Sequence, residues 1–175
     1  MQYRVIRSHR RTIGLYITPE GELEVRCPIT MSNARIEDFV KSKENWVKKH
    51  MHPPVTDKLT SPQVKELAEA ALETIPQRVK YFAPLVGVTY GKITIRNQKT
   101  RWGSCSTKGN LNFNCLLMLT PPEVRDYVVV HELCHRKEMN HSPRFWAEVS
   151  RICPNYQACR KWLKQNGHTL IAKLP

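Results

Sequence analysis

The sequence predicts an α+β chain in two parts: a small N-terminal unit, and a larger domain built around one helix that carries metal-ligating side chains. Three observations carry that expectation. Strand-like alternation is confined to residues 3–26 and 92–115, while runs at helical spacing occupy separate stretches, the segregation of an α+β fold. Pro53-Pro54 interrupts the chain within a boundary at 51–60, so residues 1–55 are expected to form one domain and 60–175 the other. Residues 131–135 read His-Glu-Leu-Cys-His.

The N-terminal part reads as a β-meander followed by a helix. Tyr3 to Arg7 is strand-like, Ile13, Leu15 and Ile17 alternate, Pro19-Glu20-Gly21 is a turn, and Leu23 and Val25 alternate with charged residues. A helix over 33–50 would bury Ile36, Phe39, Val40 and Val47. The Arg7–Arg11 cluster could bind anions, but charges at a strand turn usually just solvate an edge.

In the second part, Ser61-Pro62 starts a long helix with an apolar stripe from Val64 to Ala83. Pro76 is expected to kink or split it and Pro84 to end it. Ile93 and Ile95 alternate as a strand, residues 97–106 form a loop, and Leu111, Phe113 and Cys115 alternate with Asn112 and Asn114 in a second strand. Two asparagines on one strand face point to polar work or to solvent exposure. If this strand forms the sheet edge over the metal, an extended peptide can pair along 111–117, which makes Asn112 and Asn114 candidate substrate-binding residues. Phe145, Trp146 and Val149 are core residues of a helix beginning at Pro143, and a last helix covers 155–166. No internal repeat is evident.

The motif at 131–135 concentrates the chemistry. On a helix, positions i and i+4 share a face, so His131 and His135 reach one ion. Glu132 lies about 100° round the helix, placed to touch a metal-held water without being a ligand. Two imidazoles and a carboxylate base are the arrangement of zinc-dependent hydrolases. With 7 His and 12 Glu in 175 residues, chance produces this pattern in about two shuffled chains per hundred. The helix is also signalled locally: Thr120-Pro121-Pro122-Glu123 reads as a capping box with a proline start. A third ligand is needed. His141 leads and Glu148 competes. For His141 to reach the ion the helix must end first, with Asn140 in the left-handed conformation and Pro143 opening the next helix.

Composition bounds the remainder. The 175 residues, 41% hydrophobic, support one sizeable core with a small appended layer. No apolar run approaches the ~18 residues of a membrane span, and residues 1–4 begin no signal-peptide-like segment, so a cytoplasmic protein without membrane partners is expected. Six cysteines include no Cys-x-x-Cys pair, which argues against a zinc ribbon. Net charge is +13. Residues 74–122 contain no Asp or Glu but seven basic residues, among them Arg101. That stretch is either a solvated face or a site for an anionic partner such as a phosphate group or nucleic acid.

Three pieces together resemble the YgjP-like metallopeptidase family, relatives of the SprT-like proteases within the zincins. They are Arg101-Trp102-Gly103-Ser104-Cys105, the span Asp126 to His135, and Asn140-His141-Ser142-Pro143-Arg144-Phe145-Trp146. The N-terminal strands and the Trp46 helix also look like the family's leading segment. The resemblance implies a minimal zincin: helix, small antiparallel sheet, His-Glu-x-x-His helix and closing helices. It implies one Zn²⁺ per chain, or another divalent ion, held by His131, His135 and His141, with Glu132 as general base. A nucleoside-triphosphate pyrophosphohydrolase activity has also been assigned within the family.

Three readings follow. The first is a zinc metallopeptidase acting on a peptide or protein. The second keeps the metal but attacks a phosphoanhydride, with Arg101 holding phosphates of a nucleoside triphosphate. The third is a nucleic-acid-associated module, bound through the basic surface, whose zinc is structural; the lack of a fourth ligand counts against it. Tyr156, His168 and Arg101 are candidates for stabilising the transition state.

Overall fold

The computed structural model describes residues 1–18, 21–51 and 56–175. The expected turn at Pro19-Glu20 and the Pro53-Pro54 break lie outside the described residues. The chain forms two compact units, Met1–Asp57 and Lys58–Pro175, taken separately below.

In the first unit, strands β1 (Arg4–Ser8), β2 (Gly14–Ile17) and β3 (Leu23–Pro28) form a three-stranded sheet in the order β1-β3-β2. The expected antiparallel meander is corrected here: β1 runs parallel to β3, and only β2 is antiparallel to it. Alternation marks strands but not their partners. The centre goes to β3, the strand with most to bury, whose Leu23, Val25 and Cys27 are enclosed. They pack with Ile36, Val40 and Val47 from α1 (Asn33–Ser42) and α2 (Glu44–His50). The single helix expected over 33–50 is broken at Lys43, whose backbone lies at φ −109° and ψ 12°. Arg7 is more than edge solvation: its guanidinium donates to the carbonyls of Ile29 and Met31 and to Asn33 Oδ1, tying β1 to the loop before α1.

The second unit opens with α3 (Ser61–Val86), started by a Thr60–Gln63 capping box and ended by Gly87 in the left-handed conformation, φ 80°. It is not split at Pro76 and continues past Pro84 to Val86, two residues beyond the expected end. Ala71, Ile75, Val79, Ala83 and Val86 are buried along one face, and that packing outweighs the lost hydrogen bonds. The carbonyl that Pro76 deprives of a partner belongs to Leu72, which is 58% exposed, so water can serve it.

Strands β4 (Ile93–Arg96), β5 (Gly103–Cys105) and β6 (Leu111–Asn114) form a second sheet in the order β4-β6-β5. It too is mixed, with β4 parallel and β5 antiparallel to β6. Two expectations are corrected. Residues 103–105, read as loop, form an edge strand, and the Asn112/Asn114 strand is central, so it cannot accept a peptide along its side.

A 3-10 turn at Cys115–Leu119 leads into α4 (Pro122–Cys134), α5 (Pro143–Ile152) and α6 (Tyr156–Ala172). Thr120 does not cap α4; its hydroxyl donates to Leu117 O, closing the preceding turn, and the helix begins one residue later than expected with Pro122 in its first turn. α6 outruns the expected 155–166 because Gly167, a weak helix residue, is backed by the Trp102 indole, 3.1 Å from where a Cβ would stand. α4 is the buried axis: Val124, Val128, Val129, Val130 and Leu133 join one core with α3, β6 and Phe145. Arg78 of α3 grips Asp126 of α4 through two 2.7 Å bonds.

The two sheets repeat one frame, which no sequence repeat announces. Leu15↔Val25, Tyr16↔Glu24 and Ile17↔Leu23 in the first correspond to Gly103↔Phe113, Ser104↔Asn112 and Cys105↔Leu111 in the second. Their hairpins close alike. Thr18 N donates to Glu22 O at 2.9 Å, as Ser106 N does to Asn110 O at 2.9 Å, and Gly21 and Gly109 take φ of 81° and 83°.

Candidate metal centre

The last turns of α4 set the site. The helix stops at Cys134, and His135 is its C-cap residue. The chain then tightens through Arg136 N to Leu133 O (2.9 Å) and Lys137 N to Cys134 O (3.0 Å) and returns towards the histidines. The stop comes earlier than expected and without Asn140 in a left-handed conformation, since no non-glycine residue among those described has positive φ. Ser142 caps α5, accepting from Phe145 N, and Pro143 opens that helix.

This path brings His141 back over α4. One ring nitrogen from each of His131, His135 and His141 lies within 4.8 Å of the others, and Nε2 of His131 and Nε2 of His141 are 3.1 Å apart. Two nitrogens each ~2.0–2.1 Å from a tetrahedral zinc stand roughly 3.3 Å apart, so the donor set fits a divalent ion. Second contacts orient the rings. His135 Nδ1 donates to the Glu138 carbonyl at 3.0 Å, which leaves its Nε2 lone pair for a ligand role. His131 Nδ1 makes a long 3.4 Å contact with the Tyr127 hydroxyl. Phe145 lies beneath all three imidazoles, with centroids 4.5 to 4.9 Å away. Glu148, the competing ligand, is paired with Lys137 and Arg151 at 2.9 Å each and is not in the cluster.

Burial pushes the His131 pKa down to about 3, with His135 and His141 adding to the shift, and burial also lowers that of His135. Both are held as neutral imidazoles, the form that binds metal. Glu132 is only 5% exposed, and burial pushes its pKa up to about 8, with Arg101 pulling the other way. A carboxylate poised this way suits proton transfer near neutral pH.

Glu132 fits because Gly103 has no side chain. A Cβ at 103 would stand 2.7 Å from Glu132 Oε1 and 2.8 Å from its Cγ. The sequence reading missed this contact; the signal was the glycine inside the Arg101–Cys105 segment, which marks close approach. Gly103, Ser104 and Cys105 of β5, together with Arg101 and Met139, line an open cleft with the histidines and Glu132.

The other expected site residues fall as follows. Arg101 is exposed and at the cleft. Asn112 and Asn114 are not in its lining. Asn114 is fully buried, donates to the carbonyls of Gln98 (2.7 Å) and Arg101 (3.1 Å), and caps Leu116 N. Asn112 bonds Ser104 Oγ and Arg96. Both shape the loop that presents β5. Trp146, expected in the core, stacks on His141 and on Tyr156.

An α+β fold that gathers three histidines on and after such a helix, beside a buried carboxylate and an open cleft, defines a metal-dependent hydrolase. The chain belongs to the family described as YgjP-like, metallopeptidase domain, whose model matches residues 11–66 and 63–166. Among solved structures it is similar to the metallopeptidase zymogen of Pyrococcus abyssi abylysin, with 22% identity and a TM-score of 0.48 over 53% of this chain and 94% of that one. It is similar as well to the metallopeptidase zymogen of Methanocaldococcus jannaschii jannalysin, with 22% identity and a TM-score of 0.43 over 52% of this chain and 95% of that one. No curated protein matches the chain. Among the described residues no helix is long and apolar enough to cross a membrane.

Proposed function

We propose that the protein is a zinc metallopeptidase that cleaves extended segments of peptides or unfolded proteins. The convergence of three imidazole nitrogens within 4.8 Å, beside a buried glutamate and under an edge strand, carries this reading. His131, His135 and His141 hold the ion. A bound Zn²⁺ supplies the Lewis acidity that polarises the scissile carbonyl, acidifies a water and favours the ionised form of Glu132. Glu132 receives the proton of the attacking water and delivers it to the leaving amine. β5 offers its unpaired side to the substrate main chain, the strand addition first expected along 111–117.

The phosphoanhydride and nucleic-acid readings find less support. Of the seven cations in the acid-free stretch only Arg101 lines the cleft. Arg78 is spent on Asp126, Lys99 on the Pro175 carbonyl oxygen, and Arg96 on Asn112. A metal-replete screen over peptides, unfolded proteins and nucleoside triphosphates tests the proposal. Zinc-dependent cleavage of peptide bonds, reduced ~10²-fold or more in Glu132→Gln at preserved zinc content, is expected. Turnover of triphosphates alone sinks the peptidase reading.

A further inference from the structure

Beside the three histidines runs a row of aromatic rings that ends in a cation. Trp146 lies at the start of α5, its ring 5.6 Å from that of His141 at an interplanar angle of 24°. Tyr156, at the start of α6, stacks on the same indole at 5.4 Å and 20°. Arg160 follows one helical turn after Tyr156, on the same face. Its guanidinium carbon stands 4.8 Å from the centre of the Trp146 ring.

Arg160 is exposed and makes no ion pair among the described residues. The two ring contacts put the guanidinium within about 10 Å of the His141 ring, roughly three residues of an extended chain at ~3.3 Å each. Its place over the Trp146 ring holds the guanidinium while the side chain stays exposed.

We infer that Arg160, held on Trp146, is a receptor for a substrate carboxylate lying within three residues of the cleaved bond. The carboxylate belongs either to an Asp or Glu side chain or to the C-terminus of the substrate; both present the planar pair of oxygens that a guanidinium fork binds. The inference rests on the peptidase reading and gives its substrate class: acidic or C-terminal segments are preferred over neutral ones.

The test begins with a peptide mixture, cut sites being mapped by mass spectrometry. Matched peptides are then compared, Glu or Asp against Gln or Asn near the cut, and free C-terminal acids against amides. At least one acidic member of these pairs is expected to exceed its neutral partner about tenfold in kcat/KM, the scale of one hydrogen bond to a charged group. Arg160→Met, which keeps apolar cover on Trp146, should collapse that ratio towards one, and Arg160→Lys should restore part of it. Preference confined to the side-chain pair or to the C-terminal pair identifies the source. Because the peptidase reading can fail separately, binding of the same labelled peptides to zinc-loaded Glu132→Gln is measured by fluorescence anisotropy. Selective binding that Arg160→Met abolishes, with no cleavage of any peptide by the wild type, upholds the receptor and removes the peptidase. Equal handling of acidic and neutral peptides in both assays, or an equal loss for both in Arg160→Met, overturns the inference.

Discussion

Gly103→Ala is the sharpest test of how the buried Glu132 carboxylate is seated. The added methyl would stand 2.7 Å from Glu132 Oε1, 2.8 Å from Cγ and 3.0 Å from Cδ. Comfortable contacts begin near ~3.5 Å, so roughly 0.7 Å must be found. Turning the carboxyl end alone does not relieve the clash at Cγ. Either the whole Glu132 side chain swings or β5 moves off α4. Overpacking of this kind costs about 1–3 kcal/mol of stability, and a misplacement approaching 1 Å in a reacting group lowers turnover by up to ~10²-fold. The three histidines are not in the clash, so zinc content should hold at one per chain. The assay pairs kcat/KM on a peptide substrate with the urea midpoint and metal content. Gly87→Ala is the control: nothing lies within 4 Å of its new methyl, but φ of +80° strains the backbone, so it costs stability at a distance from the cleft. If Gly103→Ala retains the activity of Gly87→Ala at a matched midpoint, the seating argument is wrong.

Three further outcomes follow from the same geometry. His141→Ala should weaken zinc binding by ~10²-fold or more in chelator competition while leaving the far-ultraviolet spectrum unchanged, and an unaltered affinity removes His141 as a ligand. In the metal-free protein Glu132 has its folded pKa, about 8, above its unfolded value near 4.5, so the folded state holds the extra proton and stability falls as pH rises between these limits. Glu132→Gln should abolish that part of the decline, best read at pH 6.5–8 where the depressed His131 no longer contributes; identical pH profiles of melting temperature for the two proteins would falsify it. Asp126→Asn breaks the two-bond grip of Arg78 and should lower stability by about 1–2 kcal/mol, moderated by its partial exposure, with no change in zinc content; an unmoved urea midpoint shows the pair to be idle.

The site was more legible in the sequence than the sheets that carry it. His131, Glu132 and His135 fall within five consecutive positions at the end of one helix, and helical geometry alone sets their faces. His141 could be named because a helix stop was required before it, although the stop came at Cys134 by tightened turns rather than at Asn140. Strand pairing is a long-range choice, and local alternation does not encode it. That is why β1 and β4 proved parallel to their neighbours, why the Asn112/Asn114 strand proved central, and why three-residue β5 was read as loop. Pro76 and Pro84 misled because the propensity of a residue was weighed without the buried face that holds α3 together. The contact of Arg160 with Trp146 left no local signal, since it exists only once α5 and α6 are packed.

The repeated sheet frame shows what separates a scaffold from a reaction site. At the same register position of the same three-stranded arrangement, the first sheet carries Leu15 opposite Val25 and the second carries Gly103 opposite Phe113. A leucine there fills a small core. Its absence in the second sheet leaves a recess one side chain deep, and Glu132 occupies it from the neighbouring helix. The Glu132 carboxylate is thus admitted by subtraction. A residue placed at 103 to strengthen the strand would give the second sheet the filled position of the first.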